Sequence, residues 1–145
     1  MNLFDKLNKR HFFPDPHEYI YAQHIVALEE YEKLYENCNN LEHEAWKNFD
    51  AKYKVGFEFH EDVNNVDLKR EIICLWFFRD RNDKDAGNDI KLGDKIVPFK
   101  TNTFFITPTK IAFNQRKKYF IRRPCLQIDM NKEMYVNIKK RLGYE

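Results

Sequence analysis

From Ile72 to Phe78 the chain runs through an unbroken apolar segment, Ile-Ile-Cys-Leu-Trp-Phe-Phe. A segment with no polar face must be covered on both sides. Its β-branched and aromatic content over roughly seven to nine residues predicts a buried central strand rather than a helix, and the strand is expected over 71–79. Just upstream the period is two: Tyr53, Val55, Phe57 and Phe59 alternate with Lys54, Gly56 and Glu58, the pattern of a strand with one covered face. His60 to Asn65 reads as a polar turn, and Arg79 to Asn88 as an exposed loop. Short strands are then expected at Asp89–Leu92, Lys95–Phe99, Thr103–Thr107, Lys110–Asn114 and Tyr119–Asp129, the last broken at Pro124, with turns at Gly93-Asp94, Thr101-Asn102 and Pro108. Many short strands joined by such turns favour a sandwich or barrel over a layout with intervening helices.

The flanks follow a helical period. Leu3, Phe4 and Leu7 can share one face of a short amphipathic lead. His11-Phe12-Phe13-Pro14 is expected to be extended, because the residue before proline is pushed out of the helical region. Asp15-Pro16-His17-Glu18 has the features of a helix start, with Asp15 as cap, Pro16 in the first turn and Glu18 reaching back. That helix is expected to run to Glu36, burying Ile20, Ala27, Leu28, Tyr31, Leu34 and Tyr35, and to stop at Asn37-Cys38-Asn39-Asn40. A shorter helix capped by Asn40 would turn Leu41, Ala45, Trp46 and Phe49 inward. A last helix, capped by Asn131 and ended by Gly143, would bury Met134, Tyr135, Ile138 and Leu142.

The expected class is therefore α+β, with a helical N-terminal part over 1–50, a β core over 53–129 and a C-terminal helix over 131–142. A chain of 145 residues is enough for one domain with its own core. The 43% apolar and 33% charged content argues against general disorder and for a soluble protein. No run approaches the roughly 20 apolar residues of a membrane span, and no membrane partner is expected. The N-terminus has no apolar signal core, so a cytoplasmic location is expected, or a virion if the source is viral. Three cysteines, Cys38, Cys74 and Cys125, lack metal-ligand spacing and read as reduced thiols. The absence of serine excludes a serine nucleophile, and four glycines leave no Gly-rich phosphate loop. The Lys, Asn, Ile, Phe and Tyr bias is what an AT-rich genome, such as a small phage, encodes.

His60-Glu61-Asp62 is the one string with metal chemistry in it. A neutral imidazole and a carboxylate two apart at a strand end can converge on one cation, and two histidines plus one carboxylate hold Fe(II) in non-haem oxygenases. Over residues 53–129 the order is strand, His-x-Asp, polar loop, long apolar strand, then Val-Pro-Phe-Lys-Thr-Asn-Thr-Phe-Phe-Ile-Thr-Pro and a late strand with arginines. This order resembles the 2-oxoglutarate and Fe(II)-dependent dioxygenases, especially prolyl-hydroxylase-like members. The resemblance implies a double-stranded β-helix, a jelly-roll-like core, with His60 and Asp62 as the first two iron ligands. It also places Arg122 or Arg123 near the arginine that pairs with the 5-carboxylate of 2-oxoglutarate. The distal histidine would lie near Thr109 to Phe113, yet no histidine follows His60 anywhere in the chain. His11, His17, His24 and His43 sit where the resemblance predicts no ligand. Asn114 is a weak oxygen donor, and Lys110 would set an ammonium against the cation.

Charge is unevenly spread. From Lys110 to Arg141 the bases are Lys110, Arg116, Lys117, Lys118, Arg122, Arg123, Lys132, Lys139, Lys140 and Arg141, against Asp129 and Glu133. The region 27–50 is acidic through Glu29, Glu30, Glu32, Glu36, Glu42, Glu44 and Asp50, a dipole hidden by the net charge of +2. Arg116-Lys117-Lys118 beside Tyr119 and Phe120 would suit phosphates and bases, or would keep an edge strand solvated. Opposite patches would also steer self-association or a protein partner. The leading expectation is a non-catalytic or vestigial dioxygenase-fold protein acting as a binding or assembly module, with no cofactor, for example a phage structural or accessory protein. The alternatives are an active oxygenase using Fe(II) and 2-oxoglutarate, and a nucleic-acid binder using the basic hairpin.

Overall fold

A computed structural model describes residues 2–78, 90–113 and 124–144. Three helices and two antiparallel sheets make up its regular structure. The larger sheet has the order β1-β2-β7-β4-β9-β3 and the smaller β6-β5-β8. Their strands are β1 (Phe12–Phe13), β2 (Tyr19–Gln23), β3 (Phe57–His60), β4 (Ile73–Phe77), β5 (Ile90–Leu92), β6 (Lys95–Val97), β7 (Thr103–Thr107), β8 (Ala112–Phe113) and β9 (Cys125–Ile128). The helices are α1 (Leu28–Glu36), α2 (Glu44–Tyr53) and α3 (Lys132–Arg141).

The apolar segment behaves as its composition predicts. All five residues of β4 are buried, and the strand lies between β7 and β9. Side chains alternate across a strand, so its two faces build two different cores. Cys74 and Trp76 join Ile20, Ala22, Phe104, Ile106, Leu126 and Ile128 in a cluster roofed by Tyr31, Leu34, Trp46, Phe49, Tyr135 and Ile138 of the helices. Ile73, Leu75 and Phe77 face Ile90, Leu92, Val97 and Phe99 of the smaller sheet and its surroundings. Phe77 stacks on Phe99 with centroids 4.4 Å apart.

Several sequence-based expectations need correction. The helix expected over Asp15–Glu36 begins only at Leu28, and its first half is instead β2, so the N-terminal part is not purely helical. Ile20 fits a helical stripe with Ala27 by its seven-residue spacing alone, yet Ala27 and Leu28 are exposed. Tyr19 and Tyr21 are apolar enough for the face opposite Ile20 and Ala22, and a strand covered on both sides uses all four. It pairs with β7 from Ile20 to Gln23 and with β1 at Tyr19 and Ile20. Leu3, Phe4 and Leu7 are buried as expected, but on irregular turns rather than a helix.

α2 starts at Glu44, capped by the His43 side chain accepting from the Ala45 N–H, and not at Asn40, which leaves Leu41 exposed. Tyr53 closes α2 and Lys54 takes a left-handed turn at φ 53°, so the extended run starts at Phe57. α3 is as expected: the Asn131 side chain accepts from the Met134 N–H, and Gly143 stops the helix with φ 90°. Among the described residues no helix is long and apolar enough to cross a membrane. The loop expected at Arg79–Asn88 lies outside the described residues.

Candidate functional site

β3 sets the position of His60. Phe57 and Phe59 pack toward the helices, so alternation turns Glu58 and His60 to the face between the sheets. There His60 is the direct cross-strand neighbour of Cys125, which in turn opposes Phe77 of β4. The His60 side chain is 14% exposed. Its Nε2 is buried and forms no hydrogen bond among the described residues, and Glu58 Oε2 stands 3.5 Å from it.

Past His60 the chain leaves the sheet. Asp62 does not reach back into the space between the sheets as a lone carboxylate. Its Oδ1 accepts from the Asn64 N–H at 2.9 Å and caps the 3-10 turn Val63–Asn65. Val63 and Val66 then anchor this segment in the inter-sheet core. Gln127 of β9, fully buried, clamps it further, accepting from the Asp67 N–H at 2.8 Å and donating to the Asp67 carbonyl at 2.9 Å. Arg70 lies within ion-pair range of Glu58 at 3.8 Å and Asp67 at 3.5 Å, and bonds the Asp129 carboxylate. Gly56 makes room for that carboxylate, since a Cβ there would collide with it.

Of the residues expected to carry chemistry, the structure brings His60 to the inter-sheet face and uses Asp62 as a cap. The stretch expected for the distal histidine, Thr109 to Phe113, includes Ile111, buried in the same apolar cluster as Cys125 and flanked by exposed Lys110 and Ala112. The other histidines have separate positions. His11 accepts from the Asn8 N–H through Nδ1, the His17 ring closes on Gly93, His24 turns the chain with φ 59°, and His43 caps α2. Among the described residues no three His, Cys, Asp or Glu side chains group as a metal would need. Asn114, Arg122, Arg123 and the basic patch Arg116, Lys117 and Lys118 lie outside the described residues.

A facial iron site needs two imidazoles and a carboxylate converging on one point. Among the described residues His60 has the Glu58 carboxylate 3.5 Å away, Asp62 caps a turn, and no second imidazole joins them in a group of three. Sequence reading missed Gln127, Arg70 and Asp129, the residues that fix the segment after His60. The one signal for them was the Asp67 to Arg70 spacing, a common pairing that carries no address.

The chain was compared with protein-family models, curated proteins and solved structures, and none matches it.

Proposed function

We propose that the chain is a double-stranded β-helix of the dioxygenase type that works as a binding module without the oxygenase reaction. The fold half of this reading rests on the strand pairings. An antiparallel ribbon running from β3 to β9 would pair its ends and close at a hairpin. β3 pairs β9, β4 pairs β7, and β5 pairs β6 around the Gly93 turn. Wrapping that ribbon over itself adds two seams, β4 on β9 and β5 on β8. All the pairings after α2 are accounted for in this way, as in a jelly roll. The ribbon partner of β8 would be the segment near Val63–Val66, which carries a 3-10 turn instead of a strand.

The functional half is carried by Ile111. Over Thr109 to Phe113, where the resemblance puts the third donor, there is no histidine, and Ile111 in that stretch is buried in the apolar core; two donors hold Fe(II) too weakly and with too little geometric control for the reaction. A calorimetric titration with Fe(II) or Mn(II) plus 2-oxoglutarate tests this. No saturable binding is expected. Micromolar binding that disappears in His60→Ala would sink the reading, and succinate release on adding iron would replace it with the enzyme.

A further inference from the structure

The helices and the N-terminal turn share one face of the larger sheet but carry opposite charges at its two ends. α1 and α2 lie over β4 and β3, placed there by Tyr31 on Trp76 at 6.0 Å, and by Trp46 and Phe49 on Phe57 at 5.5 and 5.6 Å. The N-terminal turn and the end of α3 lie toward β7 and β1, through Phe4 on Phe104 at 5.9 Å and Tyr144 on Phe12 at 4.2 Å.

On the α1–α2 side Glu29, Glu36, Glu42, Glu44 and Asp50 are exposed. Of the bases among them, Lys52 is already paired with Glu30 at 3.4 Å, leaving Lys33, Lys47 and the C-cap Lys54. At the other end the Arg141 guanidinium donates to the carbonyls of Phe4, Asp5 and Leu7. Those bonds gather exposed Lys6, Lys9 and Arg10 beside Lys140 and Arg141, with Asp5 the acid in that turn. Lys9 Nζ reaches over the Tyr144 ring, 5.8 Å from its centroid, on the same surface.

Strands lie about 4.8 Å apart, so the middles of the two ends, three strands from each other, are separated by roughly 14 Å. That exceeds the Debye length of roughly 8 to 10 Å at moderate salt. At moderate salt the two surfaces are therefore largely screened from each other within one molecule.

We infer that the basic end of one copy docks on the α1–α2 face of a second copy, head to tail. This rests on the reading of the chain as a binding module and names its partner. The contact joins two different surfaces, so each docking leaves one of each free and the assembly extends rather than closing at a two-fold dimer.

Light scattering on the full chain tests it. At about 0.02 M salt the apparent mass should rise at least about twofold with concentration, and it should return to the monomer at about 0.5 M. Lys9→Glu with Arg10→Glu and Lys140→Glu should be monomeric, as should Glu36→Lys with Glu42→Lys and Glu44→Lys. All six positions are exposed, so both variants should keep the wild-type circular dichroism. Mixing them should restore association, because the ends are then complementary between molecules. A monomer at every concentration in low salt, association that survives high salt, or reversal that leaves it intact would each overturn the proposal. The iron titration is independent of all of these: it can defeat the binding-module reading while this association stands, or the reverse.

Discussion

The two faces of the larger sheet are built on different principles. The face under the helices is apolar along every strand, with Trp76 at its centre. Trp76 stacks on Phe104 at 4.8 Å, meets Phe78 edge-on at 4.7 Å, and lies 5.7 Å from Phe49 of α2. The face toward the smaller sheet mixes Leu75, Phe77 and Phe105 with Thr103, Thr107 and Gln127, all buried. Each of those polar side chains binds backbone: Thr103 Oγ1 donates to the Thr101 carbonyl, Thr107 Oγ1 to the Glu18 carbonyl, and Gln127 to Asp67. Packing is non-directional and fills space, whereas a buried hydrogen bond specifies which segment lies where. The helical side thus supplies cohesion, and the inter-sheet side fixes particular segments, among them, through Gln127, the one after His60.

The largest expected effect breaks the cohesive face. Trp76→Ala removes a fully buried ring from the middle of the aromatic cluster and should cost about 3 to 5 kcal/mol, read as a lowered urea midpoint with the slope unchanged. Trp76→Phe keeps most of the packing and should cost clearly less. Equal losses for the two would show that cohesion does not reside in that ring.

Asn102 joins the two principles and comes next. Fully buried at φ 48°, it accepts from Trp76 Nε1 at 2.9 Å, donates to the Val26 carbonyl at 2.8 Å, and uses its own backbone on Phe77 and His24. It ties β4 to the link between β2 and α1. Asn102→Ala leaves buried partners unsatisfied and strains a left-handed position, at about 2 to 4 kcal/mol. Asn102→Gly relieves only the strain, so the gap between the two variants separates backbone from side chain. Indistinguishable thermal midpoints would remove the strain part of this account.

A smaller loss is expected from Gln127→Leu, which keeps volume but orphans the Asp67 N–H and carbonyl, at about 1 to 3 kcal/mol. Its signature should be local. Hydrogen exchange should speed up over the segment after His60 and stay unchanged in β4. Uniform acceleration would mean that Gln127 is ordinary core rather than a clamp.

How much of this was legible follows the same division. Packing writes itself into the sequence as periodicity, so β4, β7, α3 and the alternation around Phe57 and Phe59 could be read directly. β2 could not, because its short Tyr19 to Ala22 run ends at polar Gln23 and shows no alternation, and Ile20 stands seven residues from Ala27, a spacing that a helical stripe also allows. His60 at a strand end was legible for the same reason as the strand. The environment that decides its chemistry was not. Gln127 lies 60 residues from Asp67 along the chain, and Asp62's role as a cap depends on a turn that only the anchoring of Val63 and Val66 fixes. Likewise Lys6, Lys9 and Arg10 join the basic end through contacts far apart in the chain: Arg141 on the N-terminal carbonyls, Phe4 on Phe104 and Phe12 on Tyr144.

The weakest expected effect concerns the rim of the helical side, where His11 precedes β1. Burial, and then the neighbouring Arg10 charge, hold its imidazole below the ordinary histidine value. Its Nδ1 also accepts from the Asn8 N–H at 3.1 Å, a bond that a proton on that nitrogen would abolish. The folded state therefore prefers neutral His11 more than the unfolded chain does, and between the two pKa values the unfolded state binds more protons. Stability from this site is then complete above the unfolded value of about 6.5, and is lost as pH falls from there through the lower folded value. Urea midpoints of the wild type and His11→Asn should draw together between about pH 7.5 and about pH 5.5, because only the wild type carries this proton linkage. Parallel declines would place the acid sensitivity elsewhere. A wild type that gained on its variant with acid would mean that the imidazole is charged in the fold, and that the cap at Asn8 is made in some other way.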